Sequence, residues 1–224
     1  MTAVTSLAHE PRWPASVAAA EAEQDRLRPL ADLDDPGPVS AGLVAGLDVG
    51  YRDDEEVVGA VVVLDAATLE VVDQATARQR ASFPYVPGLF AFRELPPLLA
   101  ALDELTVRPE LLMCDGYGVA HPRRFGLACH LGVLTGLPAV GVAKTAFVGT
   151  HEDPPPERGS WSEILLDGEV AGRALRTRDG VKPVFVSQGH RIGLENACAH
   201  VLRLSPAYRV PEPIRQADRL SRLP

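Results

Sequence analysis

The sequence predicts an α/β domain built on a mixed five-stranded sheet with helices on both faces. Three observations carry that expectation. Three apolar runs follow one another between residues 43 and 76, joined by short polar connections, which is the pattern of antiparallel hairpins. Two shorter apolar runs, Leu111–Cys114 and Ala139–Val142, come later with a helical segment before and between them, as expected of parallel neighbours joined by a crossover. The chain also places Asp115 and Lys144 just past the ends of those two runs, where open α/β sheets commonly do chemistry.

Each element can be justified in order. Residues 1–12 carry no periodic apolar pattern and are expected to form a disordered tail, leaving 13–224 as a single domain. Trp13-Pro14 opens a helix through PASVAAAEAEQDRLRPL, with Ala18, Leu27 and Leu30 available to pack. Asp34-Asp35-Pro36-Gly37-Pro38 ends it. Strands are expected over Leu43–Tyr51, Val57–Leu64 and Leu69–Thr76, with turns at Arg52–Glu56 and Asp65–Thr68. Ser82–Gly88 is a proline-flanked loop, and Leu89–Leu105 a helix whose Pro96-Pro97 pair offsets its first turns from the rest. The run ending at Asp115 leads through Gly116-Tyr117-Gly118 and His121-Pro122 into a helix carrying Leu127, Ala128, Leu131 and Leu134. Ser162–Asp167 and Glu169–Thr177 form a hairpin around Asp167-Gly168. Val184–Ser187 is a last short strand, Gln188-Gly189-His190 leads into a helix over Ile192–Leu204, and PEPIRQADRLS forms a short basic helix. In this order the elements make the ribonuclease-H-like architecture.

Composition narrows the function. The chain has 224 residues, enough for one real core, and a mean hydropathy of +0.02. No apolar run reaches the ~18 to 20 residues that span a bilayer, and no basic segment precedes an apolar one at the start. Cys114, Cys129 and Cys198 form no CxxC pair, so a reduced cytoplasmic protein without a zinc site is expected. The net charge of −8 excludes coating of nucleic acid through bulk positive charge. The charge is nevertheless segregated. Asp53, Asp54, Glu55, Glu56, Asp65, Glu70 and Asp73 make one region acidic, while Arg123, Arg124, Lys144, Arg173, Arg176, Arg178, Lys182 and Arg191 make another basic.

The opening strand, LVAGLDVGY, is apolar except for Asp48 in its middle. Such a carboxylate is costly unless paired, hydrogen-bonded or bound to a cation. In this topology the Asp48 strand and the Asp115 strand are neighbours, and Glu94 on the intervening helix can lean over both. Three carboxylates repel unless a cation neutralises them, and oxygen-only ligands suit Mg²⁺, with Mn²⁺ as its substitute. Magnesium accepts phosphate oxygens, so a phosphodiester is the expected substrate. Lys144 can neutralise charge developing on the phosphate, and His190 can serve as a further ligand or a proton donor. Taken singly, Asp115 could as well cap a turn, and His121 and Lys144 could be solvated loop residues.

The segments GLDVGY, PYVPGLFAFRE, CDGYGVAHPRRFGLACHLGV, PAVGVAKTAFVG, VSQGHRIGLENA and PEPIRQADRLS resemble, in order, those of the endonuclease V family, across roughly residues 13–222. That resemblance implies a magnesium-dependent DNA-repair endonuclease directed at deoxyinosine. It would nick the lesion strand one phosphodiester beyond the nearest on the 3′ side, leaving 3′-hydroxyl and 5′-phosphate ends. It implies Asp48, Glu94 and Asp115 as metal ligands, His190 as the histidine near the metal, and Lys144 as the lysine beside the scissile phosphate. It implies Pro84, Tyr85, Val86 and Pro87 as a wedge entering the duplex, independently readable as a stiffened loop whose Tyr85 replaces lost base stacking. Gly88, Leu89, Phe90, Gly116, Gly118 and His121 are implied around the everted base. Inosine-containing DNA is the implied partner, inosine-containing RNA the alternative, with a monomer and no obligate protein partner. Tyr117 departs from the Gln or Asn usual at its position.

Four other readings compete with this one. LDVG also resembles the phosphate loop of actin-like and sugar-kinase ATPases, which need two such domains. A hybrid ribonuclease or junction resolvase of the same fold would explain the carboxylates but not PYVPG or DGxGxAHPR. A catalytically silent nucleic-acid binder would not need all three acids. A Ser187/His190 hydrolase lacks a nucleophile elbow.

Overall fold

A computed structural model describes residues 7–52 and 56–223. The elements run α1 (Val17–Leu27), β1 (Leu43–Tyr51), β2 (Glu56–Asp65), β3 (Val71–Arg80), α2 (Ala91–Asp103), β4 (Leu111–Asp115), α3 (Leu127–Thr135) and β5 (Ala139–Ala143). They continue with β6 (Trp161–Leu166), β7 (Glu169–Leu175), β8 (Val184–His190), α4 (Leu194–Arg203) and α5 (Glu212–Ser221). One eight-stranded sheet has the order β3-β2-β1-β4-β5-β8-β7-β6. The expected five-stranded core is its first five members, with β1, β4 and β5 parallel and β2 and β3 antiparallel. The later strands lengthen the same sheet, with β8 antiparallel to β5, β7 antiparallel to β8 and β6 antiparallel to β7.

Local chemistry explains the boundaries. β3 starts at Val71 rather than Leu69 because the Asp65 carboxylate accepts from the Ala67 and Thr68 amides, and Leu69 closes that turn at φ 61°. It then runs to Arg80, paired along the whole of β2. α2 passes unbroken through Pro96 and Pro97, and its start is tightened by bonds from Phe92 to Leu89 and from Arg93 to Phe90. β8 continues past Ser187 to His190, because Val140 pairs with Gln188 and Ala139 with His190. The expected turn at Arg52–Glu56 falls largely on residues 53–55, outside the described residues.

Both faces of the sheet are covered. Leu47, Val61, Leu112 and Cys114 pack on Leu95, Leu98 and Leu131 of α2 and α3. Val44, Leu111, Met113 and Val140 pack on Ala197, Val201 and Ile214 of α4 and α5. Burial on both faces accounts for the unbroken apolar run of β2. α5 approaches β1 so closely that a Cβ on Gly46 would overlap the Pro213 backbone; only glycine fits there.

α1 is capped by Ser16, whose hydroxyl accepts from the Ala19 amide at 3.3 Å. It docks through Ala20, Glu23, Gln24 and Leu27, whereas Ala18 and Leu30, expected to pack, are exposed. Of the tail expected over residues 1–12, 1–6 lie outside the described residues. Ala8 and His9 both donate to the Leu134 carbonyl. Among the described residues no helix is long and apolar enough to cross a membrane.

Candidate active site

The parallel register sets the first two acids side by side. Leu47 lies opposite Cys114, so Asp48 and Asp115 are the next pair on neighbouring strands. Alternation puts both on the α5 face of the sheet. Burial comes first among the influences on Asp48 and the negative charges of Asp115 and Asp218 follow; together they push its pKa up to about 7. The Ser221 hydroxyl reaches Asp48 Oδ2 at 3.4 Å. Glu94 comes from the first turn of α2, on the opposite face, and leans past the strand ends. Burial raises its pKa to about 7, with Asp48 and Asp115 adding to the effect. The Tyr51 hydroxyl donates to Glu94 Oε1 at 2.8 Å, which favours the ionised form and holds the carboxylate in place.

Lys144 leaves the end of β5 and pairs with Asp115, Nζ to Oδ2 at 2.5 Å. Burial opposes its charge, but the hydrogen bond and field of Asp115, helped by Asp48 and Asp218, win and hold its pKa above the usual lysine value. One cation therefore faces several carboxylates. A hard divalent ion fits this set in chemistry, because every donor is a carboxylate oxygen and the mutual repulsion is under-compensated. Among the described residues no three His, Cys, Asp or Glu side chains stand close enough to hold a metal ion as they are. The placement of Glu94 across the sheet and the Lys144–Asp115 pair are physical reasons for that spacing.

Beside the acids opens a cavity of about 350 Å³ whose walls include Glu94, Asp115, Lys144, Gly88, Phe90, Tyr117, His121 and Phe147, within the range of small-ligand sites. Its surface is largely apolar. Tyr117 lies 5.1 Å from Phe147 between ring centroids, and His121 5.8 Å. The Tyr117 hydroxyl donates to the Thr145 carbonyl at 3.1 Å, so Tyr117 braces two loops. Burial lowers the His121 pKa to about 4, leaving a neutral ring whose Nδ1 accepts from the Arg123 amide at 3.2 Å. Gln24 of α1, 1% exposed, donates from Nε2 to the Gly88 and Phe125 carbonyls at 3.0 and 3.2 Å. Its Oε1 is buried without a partner.

The segment expected to form a wedge sits next to this cavity. Pro84 and Pro87 are exposed. Tyr85 is 68% exposed and stacks at 4.2 Å on Phe90, which lines the cavity. Val86 packs down on Phe83 and Leu89 and anchors the loop.

Three expected site residues fall elsewhere. Leu89, 3% exposed, belongs to the core beneath the loop rather than to the cavity wall. Gly118 packs against β8, where a Cβ would overlap the Gln188 carbonyl, and its amide donates to Ser187 Oγ at 2.8 Å; it supports the loop from behind. His190 is not brought to the acids at all. Strand β8 is antiparallel to β5, so His190 lies beside Ala139 at the start of β5, while Lys144 follows its end. Four residues at ~3.3 Å each separate the two ends. The His190 ring accepts from the Asp32 amide at 3.1 Å.

Sequence reasoning passed over Asp218, Tyr51, Gln24 and Phe147. Asp218 had a readable signal. It follows Ala217 and stands four residues after Ile214, both fully buried, which turns it toward the sheet, yet PEPIRQADRLS reads first as a basic helix.

A family model described as Endonuclease V matches residues 26–219. An endonuclease V of Streptomyces coelicolor is 63% identical over 212 residues, covering 94% of this chain and 91% of that protein. The crystal structure of the endonuclease V of Streptomyces avermitilis superposes with a TM-score of 0.91 at 58% identity, covering 99% of this chain and 96% of that one. Endonuclease V of Ciona intestinalis, solved in complex with a 24mer DNA containing an inosine followed by a ribo-adenosine, superposes with a TM-score of 0.79. It is 31% identical, covering 92% of this chain and 96% of that one.

Proposed function

The chain belongs to the endonuclease V family, and on that premise we propose that it is a DNA-repair endonuclease that nicks strands containing deoxyinosine by magnesium-dependent hydrolysis. The cut falls one phosphodiester beyond the nearest on the 3′ side and leaves 3′-hydroxyl and 5′-phosphate ends. The observation that carries this reading is the opening of Glu94, Asp115 and Lys144 onto one cavity walled by Phe90, Tyr117, His121 and Phe147, while Asp48, next to Asp115 on the neighbouring strand, lines a separate cleft with Asp218 and Tyr51. A base turned into that cavity leaves its own backbone beside Asp115 and Lys144.

Each group then has a task. Asp48, Asp115 and Glu94, with Asp218 adjacent, would hold a divalent cation, Mg²⁺ or Mn²⁺. When bound, such an ion activates water and stabilises the oxygens of the phosphodiester. Tyr51 keeps Glu94 oriented. Lys144, already charged, shifts from Asp115 to the phosphate and offsets the negative charge gathering there. The aromatic walls and the neutral His121 receive a planar base without imposing a charge on it, and Gln24 fixes the Gly88 carbonyl at their edge.

Nicking of otherwise identical strands carrying deoxyinosine, inosine, uracil or an unmodified base, in Mg²⁺ and in EDTA, tests the proposal. Cleavage confined to deoxyinosine and to Mg²⁺ is expected. Equal cutting of unmodified strands, or full cutting in EDTA, refutes it, and preference for inosine in RNA would move the substrate.

The exposed, stacked Tyr85 favours the wedge over a core-packed corner. Tyr85→Ala should narrow the preference for inosine-bearing over normal duplex, because it removes base–aromatic stacking of about 1–3 kcal/mol. The loss should shrink when the lesion lies in a single strand, and the melting temperature should hardly move. A lower melting temperature with discrimination unchanged would assign PYVP to packing instead.

A further inference from the structure

A second and larger recess begins where the first ends. It measures about 570 Å³ and shares Lys144 and Thr145 with the base cavity. Its walls carry four cationic side chains, Lys144, Arg176, Lys182 and Arg209, together with Phe185 and His151. Phe185 and His151 stand edge to face at 5.0 Å. In a chain of net charge −8, such a concentration calls for an explanation.

Ion pairing accounts for only half of it. Lys144 pairs with Asp115 and Arg176 with Asp153 at 3.1 Å. Arg209 donates to the Lys144 and Pro183 carbonyls at 2.5 and 2.7 Å. Its Nε is buried with no acceptor, so its charge is met by dipoles alone. Lys182 is exposed and, among the described residues, makes no salt bridge. Two uncompensated positive charges thus line a groove continuous with the reacting centre. The groove is longer than one phosphate needs, and Phe185 offers it a planar apolar wall.

We infer that this groove holds the sugar–phosphate backbone of the cleaved strand on the 3′ side of the scissile phosphate. The inference rests on the reading that the cut lies 3′ of the everted base. With the base seated among Phe90, Tyr117 and Phe147, and the scissile phosphate beside Lys144, the strand continues into the recess on the far side of Lys144. Lys182 and Arg209 meet its next phosphates. The groove then also retains the new 5′-phosphate end after the nick.

The test is a cycle of two protein forms and two strands. Lys182→Ala, and separately Lys182→Glu, are compared with the unchanged protein on an inosine strand ending one nucleotide past the scissile phosphate and on one continuing for a full duplex turn. Affinity is read by fluorescence anisotropy with Ca²⁺ in place of Mg²⁺ across a salt series. On the long strand Lys182→Ala should weaken binding several-fold, Lys182→Glu more. The slope of log affinity against log salt should fall by about 0.7 to 0.9, because one phosphate is no longer neutralised. On the short strand both variants should bind as the unchanged protein does. Equal losses on both strands, no loss on either, or indifference of the unchanged protein to the length of the 3′ flank would overturn the inference. Failure to nick deoxyinosine at all would instead count against the activity, and it is read in a separate assay.

Discussion

Asp48→Ala and Asp115→Ala should each abolish nicking of a deoxyinosine strand in magnesium, yet leave a folded chain. The two variants should differ in stability. Asp48 is half-buried beside Asp115 and Asp218, with its pKa pushed up to about 7, so in the folded state it holds its proton more tightly than in the unfolded chain. Between the ordinary carboxylate range and about pH 7 the unfolded state ionises first, and stability falls as pH rises. Each pH unit in that window costs at most about 1.4 kcal/mol. Asp48→Ala removes this penalty, so in EDTA its melting temperature should exceed that of the unchanged protein at pH 8, and the gain should vanish near pH 4. Asp115→Ala should show no such gain, because it strands Lys144 without its partner; for a lysine 45% exposed that costs below about 1 kcal/mol. Nicking by either variant at the unchanged rate, or a stability gain for Asp48→Ala that is larger at low pH, would contradict the site.

Lys144→Ala should lower the single-turnover rate by about 10²–10³ while binding of the inosine strand is largely kept. In the proposed reaction the ammonium offsets charge that builds up on the phosphate, whereas the aromatic walls of the cavity would hold the base. His190→Ala supplies the contrast. Because the ring accepts from the Asp32 amide away from the acids, its removal should leave that rate unchanged and lower the melting temperature by leaving a partly buried donor unmet, a loss of about 1–3 kcal/mol. A slow chemical step in His190→Ala with stability intact would return the histidine to the reacting centre.

His190 also marks where the sequence stops being legible. Apolar periodicity located nearly every strand and helix, and the run of three strands, helix, strand, helix, strand fixed which strands are neighbours. Asp48, Asp115 and Lys144 follow from that alone, since each sits in or just past an apolar run whose partner is known. What periodicity lacks is the direction and extent of a strand added late. Val184–Ser187 looks complete at Ser187, yet pairing with β5 carries it three residues further and places His190 at the wrong end of the sheet for chemistry. Contributions from remote segments were hidden for a related reason. Asp218, Gln24 and Phe147 join the site by helix docking and loop closure over long separations, and no local pattern in a single chain records those.

Gln24 has a consequence for fidelity under heat. The proposed base cavity is tied to α1 through that one amide, which joins the loops at Gly88 and Phe125, while the acids and Lys144 sit on sheet ends and on α2 and α5. Cooperative units of a protein open at different free energies, and α1 is a short helix attached by one face. When it detaches, hydrogen exchange in α1 and at Gly88 should rise together, well before β1 and β4 exchange. In that opened form the acids and Lys144 should stay assembled while the proposed base chamber does not. Warming should therefore erode selectivity before it erodes turnover, with the ratio of nicks at normal bases to nicks at deoxyinosine climbing below the global melting point.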